Sequence, residues 1–413
     1  MVREQVALAG YTTLGLGGPA ARFVEADSDE QIVAAVRAAD QRRDPVLVLG
    51  GGSNLVVADA GFPGTVVRVA TRGIAAAPDG DRAAVSVAAG EDWDAVVSWC
   101  VGSGLSGLEC LSGIPGLAGA TPIQNVGAYG QDVAETLSAV RVYDRQRDVT
   151  TELSNADCGF GYRTSRFKRA ATKPGAGTGG PALAGAGDAA AATVAAATAA
   201  NDAAAAADAG AAAGDITGRF VVLGVTFRLA SDPLSAPVRY GELARALGVA
   251  EGGRVPLAAA REAVLRLRRG KGMVLDPADP DTRSAGSFFT NPVLDQAQLA
   301  ALERAAAAAC GSDARVPRFP AGPGLVKIPA AWLIERAGYR KGYPANGRAA
   351  PGGRPGQPGP GPRISAKHTL ALVNPGGATA TSLLALARDI RNGVHATFGV
   401  ELVTEPVLVG AAL

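Results

Sequence analysis

The sequence is poor in histidine and cysteine, and this shortage argues against metal chemistry. It has two histidines, His368 and His395, in 413 residues, and its four cysteines form no CxxC pair. Because protein zinc sites are built mainly from these two residue types, we expect no metal site. The cysteines are expected to be free thiols, as is usual in a reducing cytoplasm.

The chain also lacks a large excess of charge and long apolar runs. Its net charge is +2, which provides no basic field for nucleic acid and no acidic field for a cationic partner. The first residues, MVREQVALAG, have no apolar core of the signal-peptide kind, and no apolar run reaches the length of a membrane span. We therefore expect neither nucleic acid nor membrane as partner. We also expect a cytoplasmic protein that is a monomer.

Two segments have too few apolar side chains to contribute to a core. Residues 173–215 are mostly Ala, Gly, Thr and Asp without an aromatic residue, and residues 344–362 are rich in Pro and Gly. These compositions predict a mobile low-complexity insertion and an extended flexible loop. The remaining length is sufficient for two or three domains with buried cores.

Outside these segments, strand and helix patterns alternate irregularly, which predicts an α+β protein. Short apolar runs typical of buried strands occur at 45–50 (PVLVLG), 65–69 (TVVRV) and 219–229 (RFVVLGVTFRL). The stretches EDWDAVVSWCVGSG and LAAAREAVLRLRRGKG predict helices, and the last 35 or so residues predict a helix followed by a final strand.

A glycine turn at residues 49–57, LGGGSNLVV, is the first candidate binding element. Gly51, Gly52, Ser53 and Asn54 follow a predicted strand and present successive backbone amides beside a hydroxyl and a carboxamide. Backbone nests of this kind bind phosphate groups. The turn matches neither a Walker loop nor the Rossmann motif, and a plain glycine turn between strands is the alternative.

The second candidate is the glycine-rich segment 112–135, SGIPGLAGATPIQNVGAYGQDVAE, which is too irregular for a long regular element. Glycine-rich loops of this length often let the backbone approach a ligand closely. A plain surface loop explains the segment poorly, because it carries Ile114, Leu117, Ile123 and Val126. We therefore favour a binding loop.

Three further residues are candidates for chemistry. Ser287, in SAGSFFTNPV, lacks both the G-x-S-x-G elbow and a nearby histidine, so the pattern does not favour a serine nucleophile. Arg163 is flanked by Phe160, Tyr162 and Phe167, a setting that suits anion binding. Glu405 in the last predicted strand would by itself indicate a solvated charge.

Together these motifs resemble the UDP-N-acetylenolpyruvoylglucosamine reductase family, flavoenzymes that make UDP-N-acetylmuramate for bacterial peptidoglycan. The matching stretches occur in the family's order and extend over residues 11–410. They are TTLGLGGPAARF, LGGGSNLVV, IPGLAGATPIQNVGAYGQ, GYRTSRFK, AGSFFTNP, AAWLIERAGYRKG, ISAKHTLALVN and LVTEP.

The resemblance implies an FAD-binding region of two α+β subdomains, as in the vanillyl-alcohol-oxidase-like flavoproteins, followed by an α+β substrate domain. The expected subdomains are 1–75 and 76–232, the latter with the insertion. The expected substrate domain is 233–390, and 391–413 is expected to return to the active site. The implied cofactors are FAD and NADPH.

The resemblance also implies roles for individual residues. Those expected to hold the FAD pyrophosphate are Gly51, Gly52, Ser53 and Asn54. Those expected to surround the flavin are Ile114, Gly119, Gln124, Asn125, Gly127 and Ala128. Those expected to contact the nucleotide sugar or NADPH are Tyr129, Lys271, Asn291 and Lys327.

The implied reaction explains the types of the three catalytic residues. Hydride addition at C3 of the enolpyruvyl group leaves negative charge at C2, next to the substrate carboxylate. Arg163 would stabilise that charge, and Glu405 would assist in a protonated or hydrogen-bonded form. Ser287 would protonate C2, since a carbanion is basic enough to take a proton from a neutral hydroxyl without a histidine.

The sequence departs from the family pattern at two places. Thr290 stands where lysine is common, and the insertion 173–215 has no tyrosine where some members carry a tyrosine-bearing flap. His368 lies in a matching motif, and we expect a structural role for it. The alternatives are a flavin-dependent oxidase of the same superfamily, disfavoured because no histidine lies near the glycine turn, and a non-catalytic nucleotide-sugar binder, disfavoured by the intact Arg163, Ser287 and Glu405.

Overall fold

The computed structural model of the chain describes residues 1–169, 216–344 and 361–413. The insertion predicted at 173–215 lies outside the described residues, as does most of the Pro/Gly segment 344–362. The flexibility predicted for these two segments therefore stays a prediction.

The chain begins with a four-stranded sheet whose spatial order is Val2–Ala7, Pro19–Ala26, Phe62–Val69 and Val46–Leu49. The first pair is antiparallel and the other pairs are parallel. The predicted strands at 45–50 and 65–69 are thus confirmed. A helix, Asp29–Arg42, buries its apolar face between this sheet and the next.

The second sheet is antiparallel and follows the order Val149–Ser154, Leu137–Asp144, Phe220–Ser231, Arg82–Ala88 and Ile74–Asp79. The short strand Leu105–Ser106 pairs with the end of Phe220–Ser231. The predicted helix Trp93–Gly102 packs Trp93 and Val97 into the same core. Because one apolar cluster contains Val36 of the first helix as well as this sheet, the two sheet regions share a core.

The glycine-rich segment 112–135 contains more regular structure than its sequence predicts. It forms a 3-10 turn at Ala118–Ala120 and a two-stranded hairpin, Gly127–Ala128 with Gln131–Asp132, and a second 3-10 turn follows at Val133–Glu135. Pattern analysis misses elements this short, because two or three residues contain no periodicity.

The remaining chain combines helices with small sheets around two further apolar clusters, one for its first two helices and one for its last three. Its helices are Gly241–Leu247, Leu257–Gly270, Gln296–Cys310, Ala330–Arg336 and Ala380–Phe398. Its sheets are Ser284–Ser287 with Ala371–Val373 and Arg363–Ile364, and Val293–Leu294 with Val326–Lys327 and Phe319–Pro320. Short helices and 3-10 turns elsewhere are Leu8–Tyr11, Glu109–Leu111, Asn155–Cys158, Arg166–Arg169 and Pro280–Thr282.

The end of the chain returns to its beginning. The strand Val407–Val409 runs parallel to Leu55–Val57, the strand that follows the glycine turn. The Asp59 carboxylate accepts bonds from the backbone amides of Ala380 and Thr381 at 2.7 and 2.9 Å, and so caps the last helix. Residues far apart in sequence are thereby brought to one place.

Within the described ranges, no helix combines the length and apolar character needed to cross a membrane. The same ranges contain no group of three or more His, Cys, Asp and Glu side chains placed to hold a metal ion.

A buried carboxylate joins the second sheet region to the segment that follows it. Glu109 is fully buried, and its Oε1 accepts bonds from the Ala236 amide at 2.6 Å and Gln131 Nε2 at 3.0 Å. Its Oε2 accepts a bond from the Gly107 amide at 2.7 Å.

We predict that Glu109→Ala lowers the free energy of unfolding by about 2–4 kcal/mol, because it leaves one buried and two partly buried donors without an acceptor. Urea denaturation of the full chain measures this. Glu152→Ala, at an exposed strand position, is the matched control, for which we expect a change within about 0.5 kcal/mol. Equal free energies of unfolding for the two variants would contradict the stabilising role assigned to Glu109.

Candidate active site

Backbone pairing places Ser287 beside Glu405. The strand Ser284–Ser287 pairs with Ala371–Val373, with Ser287 opposite Ala371. In the residues that follow, the Glu405 amide donates to the Phe288 carbonyl at 2.9 Å, and Phe289 forms a bridge with Thr404. The two predicted catalytic residues therefore come together because their backbones are hydrogen-bonded.

Arg163 completes this group. Its Nε lies 3.1 Å from Glu405 Oε1, and both side chains remain accessible, at 27% and 18% exposure. Its Nη2 donates to the Gly127 carbonyl at 2.8 Å, and its Nη1 donates to the Asn125 carbonyl at 3.4 Å. The guanidinium is thus oriented by the 112–135 loop, and the structure brings together all three predicted catalytic residues.

The charge of Glu405 depends on burial and on two neighbouring cations. Burial raises the pKa of Glu405, while Arg163 and Lys168 act in the opposite direction. Burial also lowers the pKa of Lys168, whose Nζ donates to the Arg163 carbonyl at 3.3 Å. Lys168 was not among the predicted site residues, although it ends the family-like stretch GYRTSRFK.

The glycine turn forms a cradle against the 112–135 loop. A Cβ atom on Gly51 would lie 2.8 Å from the Gly116 Cα, and one on Gly52, whose φ is +61°, would lie 2.0 Å from the Tyr11 carbonyl oxygen. Only glycine allows this approach. Among the described residues, no acceptor takes the amides of Gly51, Gly52 or Ser53, so these amides remain available for a ligand.

A cavity of about 280 Å³ opens at this cradle and is lined in part by Thr12, Gly50, Gly51, Arg68 and Leu275. Free amides next to a cavity with an arginine at its edge fit the phosphates of a dinucleotide cofactor such as FAD. A larger cavity, on the face of the antiparallel sheet that carries Ser86 and Thr226, is lined by none of the predicted site residues.

Several side chains predicted to contact the cofactor are used to hold the protein together. Asn54 Nδ2 and Gln124 Nε2 both donate to the Glu405 carbonyl at 3.4 Å. Asn125 Nδ2 donates to the Gly161 carbonyl at 3.1 Å, and its Oδ1 accepts from the Ala134 amide at 3.2 Å. These amide side chains position Glu405 and the turn that carries Arg163.

The other predicted flavin residues have close-packing roles. A Cβ on Gly119 would lie 2.5 Å from that of Ala89, and one on Gly127 would lie 1.5 Å from Asp132 Oδ1. Ile114 and Ala128 are partly buried against the core that the two sheet regions share. Ser53 Oγ donates to the Pro115 carbonyl at 2.9 Å, which ties the glycine turn to the loop.

The predicted substrate residues fall into two groups. In the first, Lys271 forms an ion pair with Glu242 at 2.7 Å and lies 5.6 Å from the centre of the Tyr129 ring, which meets Tyr240 edge-on. In the second, the Lys327 ammonium lies 4.6 Å from the centre of the Tyr162 ring.

Tyr162 links the second group to the catalytic residues. The Arg163 guanidinium lies 5.8 Å from the ring centre of Tyr162, and the Asn291 side chain lies near Tyr162 and acts to lower the pKa of its hydroxyl. Asn291 Oδ1 also accepts from the Ala330 amide at 2.9 Å. Tyr162 is 51% exposed and was not predicted as a site residue. In the sequence, the only indication of a role for Tyr162 was its position next to Arg163.

The comparisons with known proteins agree with this arrangement. Residues 278–409 match the family model of the C-terminal domain of UDP-N-acetylenolpyruvoylglucosamine reductase, and residues 20–151 match an FAD-binding domain. The reductase of Thermobifida fusca is 50% identical over 412 residues, covering 99% of this chain and 98% of that protein. The reductase of Saccharopolyspora erythraea is 51% identical over 408 residues, covering 98% and 95%.

The chain belongs to the UDP-N-acetylenolpyruvoylglucosamine reductase family. The solved reductase of Thermus caldophilus shares its fold, with a TM-score of 0.53 at 23% identity and 99% coverage of both chains. The predicted α+β flavoprotein fold and the predicted use of FAD and NADPH are therefore confirmed at the level of the family. The oxidase alternative finds no support among these relatives.

His368 lies among cations in this reductase-family structure. Burial lowers the pKa of its imidazole to about 4, and the nearby Lys271, Lys341 and Arg268 act in the same direction. The imidazole is therefore neutral at pH 7. This favours the structural role expected from the sequence over a role as a proton donor.

We predict that His368 makes stability depend on pH between about 6.5 and about 4. Because the unfolded chain binds a proton at His368 in this range and the folded chain does not, the free energy of unfolding decreases as pH falls. In His368→Gln this decrease should be smaller by on the order of 1–3 kcal/mol. Urea denaturation at intervals across this range measures it.

His395→Gln, which changes an exposed histidine on the last helix, is the control and should follow the wild-type pH dependence. A difference between His368→Gln and wild type that is the same at every pH would indicate lost packing instead of titration.

Proposed function

We propose that this protein reduces UDP-N-acetylglucosamine enolpyruvate to UDP-N-acetylmuramate in peptidoglycan synthesis, with Arg163, Ser287 and Glu405 as its catalytic residues. Family membership supports the reaction. The observation that supports the residues is the placement of the Arg163–Glu405 ion pair, 3.1 Å long, directly beside the strand that ends at Ser287. When bound, FAD reduced by NADPH supplies the hydride that C3 of the enolpyruvyl group receives.

Arg163 binds the substrate carboxylate and stabilises the negative charge that forms at C2. Its guanidinium is oriented by two backbone carbonyls before substrate arrives. Preorganised charge of this kind contributes more than charge that must reorient during the reaction. In its ionised form, Glu405 limits the excess of positive charge next to Arg163. The raised pKa of its carboxyl also allows a protonated form, which donates to the substrate carboxylate.

Ser287 donates the proton that C2 takes up after hydride addition. Among the described residues, the Ser287 hydroxyl has no hydrogen-bond partner, and its side chain is only partly buried. It can therefore turn toward a substrate. The proton moves from Oγ to C2, and water returns a proton to the alkoxide.

The remaining predicted residues bind the ligands. The amides of Gly51, Gly52 and Ser53 hold the FAD pyrophosphate, and the loop 112–135 adjoins the flavin. Positive charge at Lys271 and Lys327 binds the anionic part of the nucleotide sugar or of NADPH, assisted by Tyr129 and Asn291. We propose the subdomains 1–75, 76–232 and 233–390 with a returning segment 391–413, and a cytoplasmic monomer with no nucleic-acid partner.

Arg163→Lys should slow transfer to the enolpyruvyl sugar by roughly two orders of magnitude or more, while flavin reduction by NADPH stays near normal. Lysine keeps the charge but lacks the planar fork that can bind a carboxylate with two parallel hydrogen bonds. Stopped-flow absorbance of the flavin separates the two half-reactions. Arg141→Lys, on the opposite sheet face, is the control. Near-normal transfer in Arg163→Lys would show that Arg163 does not belong to the site.

Ser287→Ala should leave flavin reduction by NADPH near the normal rate and slow reoxidation by the enolpyruvyl substrate severely, because only the second step needs a proton at C2. Substrate binding should change little, since the hydroxyl acts in the transition state. Ser287→Cys should recover part of the rate.

Ser86→Ala, at an exposed position on the antiparallel sheet, is the matched control for Ser287→Ala. A Ser287→Ala enzyme that is slow in both half-reactions would show that Ser287 shapes the site without donating a proton. Reoxidation by oxygen alone in the wild type would favour the oxidase alternative.

A further inference from the structure

Lys168 lies behind the catalytic arginine on a short, well-anchored helix. The helix Arg166–Arg169 is held by the buried Phe167 and by Ser165, whose Oγ donates to the Ile123 carbonyl at 2.7 Å and accepts from the Phe167 amide at 3.2 Å. Lys168 is partly buried at the end of this anchor. Its ammonium therefore has a defined position and does not extend freely into solvent.

The backbone that Lys168 contacts is strained. Arg163 has a φ of +51°, in the left-handed region that residues other than glycine rarely occupy. The turn is closed by reciprocal backbone bonds between Gly161 and Thr164, at 3.0 and 3.3 Å. Lys168 Nζ donates to the Arg163 carbonyl at 3.3 Å, which stabilises this conformation.

The same ammonium, bonded to the backbone of the residue that pairs with Glu405, also opposes the effect of burial on the pKa of the Glu405 carboxyl. The ionisable groups that face Glu405 in the described structure are Tyr162, Arg163 and Lys168, and all three come from one short stretch of chain. The other elements packed against Glu405 contribute the uncharged amides of Asn54 and Gln124. Because one carboxylate faces two cations, removing either cation must change how readily it ionises.

We propose that Lys168 is a positioning residue for the reductive step: its hydrogen bond holds the Arg163 backbone in its left-handed conformation, and its ammonium places a second cation beside the Arg163–Glu405 ion pair. This inference rests on the proposed function. This role explains why the proposed site contains a third charged side chain, Lys168, although the proposed chemistry needs only Arg163 and Glu405. Lys168 acts through Arg163 and Glu405 and does not itself touch the reacting atoms.

Three substitutions separate the two actions. Lys168→Met removes both the donor and the charge, Lys168→Gln retains a donor without charge, and Lys168→Arg retains the charge. Loss of a cation near a carboxylate raises the pKa of that carboxylate, so the pH profile of substrate reduction should move upward by about one pH unit in Lys168→Met and Lys168→Gln. In Lys168→Arg the profile should stay within a few tenths of a unit.

The transfer rate should fall about tenfold or more in Lys168→Met and less in Lys168→Gln, because only the glutamine can still bond the Arg163 carbonyl. Arg166→Gln is the matched control. It removes one positive charge from the same short helix, at an exposed position near Asp157. Its pH profile should match that of the wild type.

Carbon-13 NMR titration of the glutamate carboxyls in the flavin-loaded protein provides a readout that does not depend on turnover. The Glu405→Gln protein identifies the Glu405 signal by its loss. The midpoint of that signal should rise in Lys168→Met and Lys168→Gln. In a Glu405→Gln background, Lys168→Met should cause no further shift of the pH profile, since the coupled group is gone.

An unmoved Glu405 midpoint in Lys168→Gln would overturn the charge role, and equal slowing of both half-reactions in Lys168→Met would overturn the positioning role. If Lys168→Met does not fold, Lys168→Gln and Lys168→Arg still decide both points. A wild-type enzyme unable to reduce the enolpyruvyl sugar would instead refute the proposed function, and the NMR titration would remain interpretable.

Discussion

The return of the C-terminal strand to the glycine turn is the constraint on which the site depends. Val407–Val409 adds to Leu55–Val57, and two residues earlier the Glu405 amide bonds to the Phe288 carbonyl. The Glu405 carbonyl also accepts bonds from Asn54 and Gln124. A single short segment is therefore hydrogen-bonded to the glycine turn, to the glycine-rich loop and to the residue that follows Ser287. Shifting its register would displace Glu405 from Arg163.

Around this segment, charge is arranged so that each buried group has a compensating partner, although positive charge remains in excess. Glu405 faces Arg163 and Lys168, and Lys271 faces Glu242. Near Lys271, the neutral His368 adds no further positive charge.

The amide side chains make contacts within the protein that the family resemblance did not imply. Asn54, Gln124 and Asn125 were expected to contact the cofactor, and their side chains bond Glu405 or the turn that carries Arg163. Such residues position the groups next to the cofactor whether or not they also touch it. Conversely, Tyr162 and Lys168 lie on either side of Arg163 in the sequence, and nothing in their residue types distinguishes them from ordinary surface residues. The contact of Tyr162 with Lys327, and the effect of Lys168 on the pKa of Glu405, cross between distant parts of the chain.

The sequence by itself determined the elements, the glycine turn and the family. The strands Val46–Leu49 and Phe220–Ser231 and the helix Leu257–Gly270 were predictable because periodicity and glycine placement are local properties. The short hairpin Gly127–Ala128 with Gln131–Asp132 was not, since its pairs are too few to produce a pattern. Only the tertiary structure decided that the Arg163 side chain pairs with Glu405, that the Glu405 backbone bonds to the residue after Ser287, and that burial raises the pKa of Glu405. These properties come from strand pairing between distant segments and from burial, which no local stretch of sequence encodes.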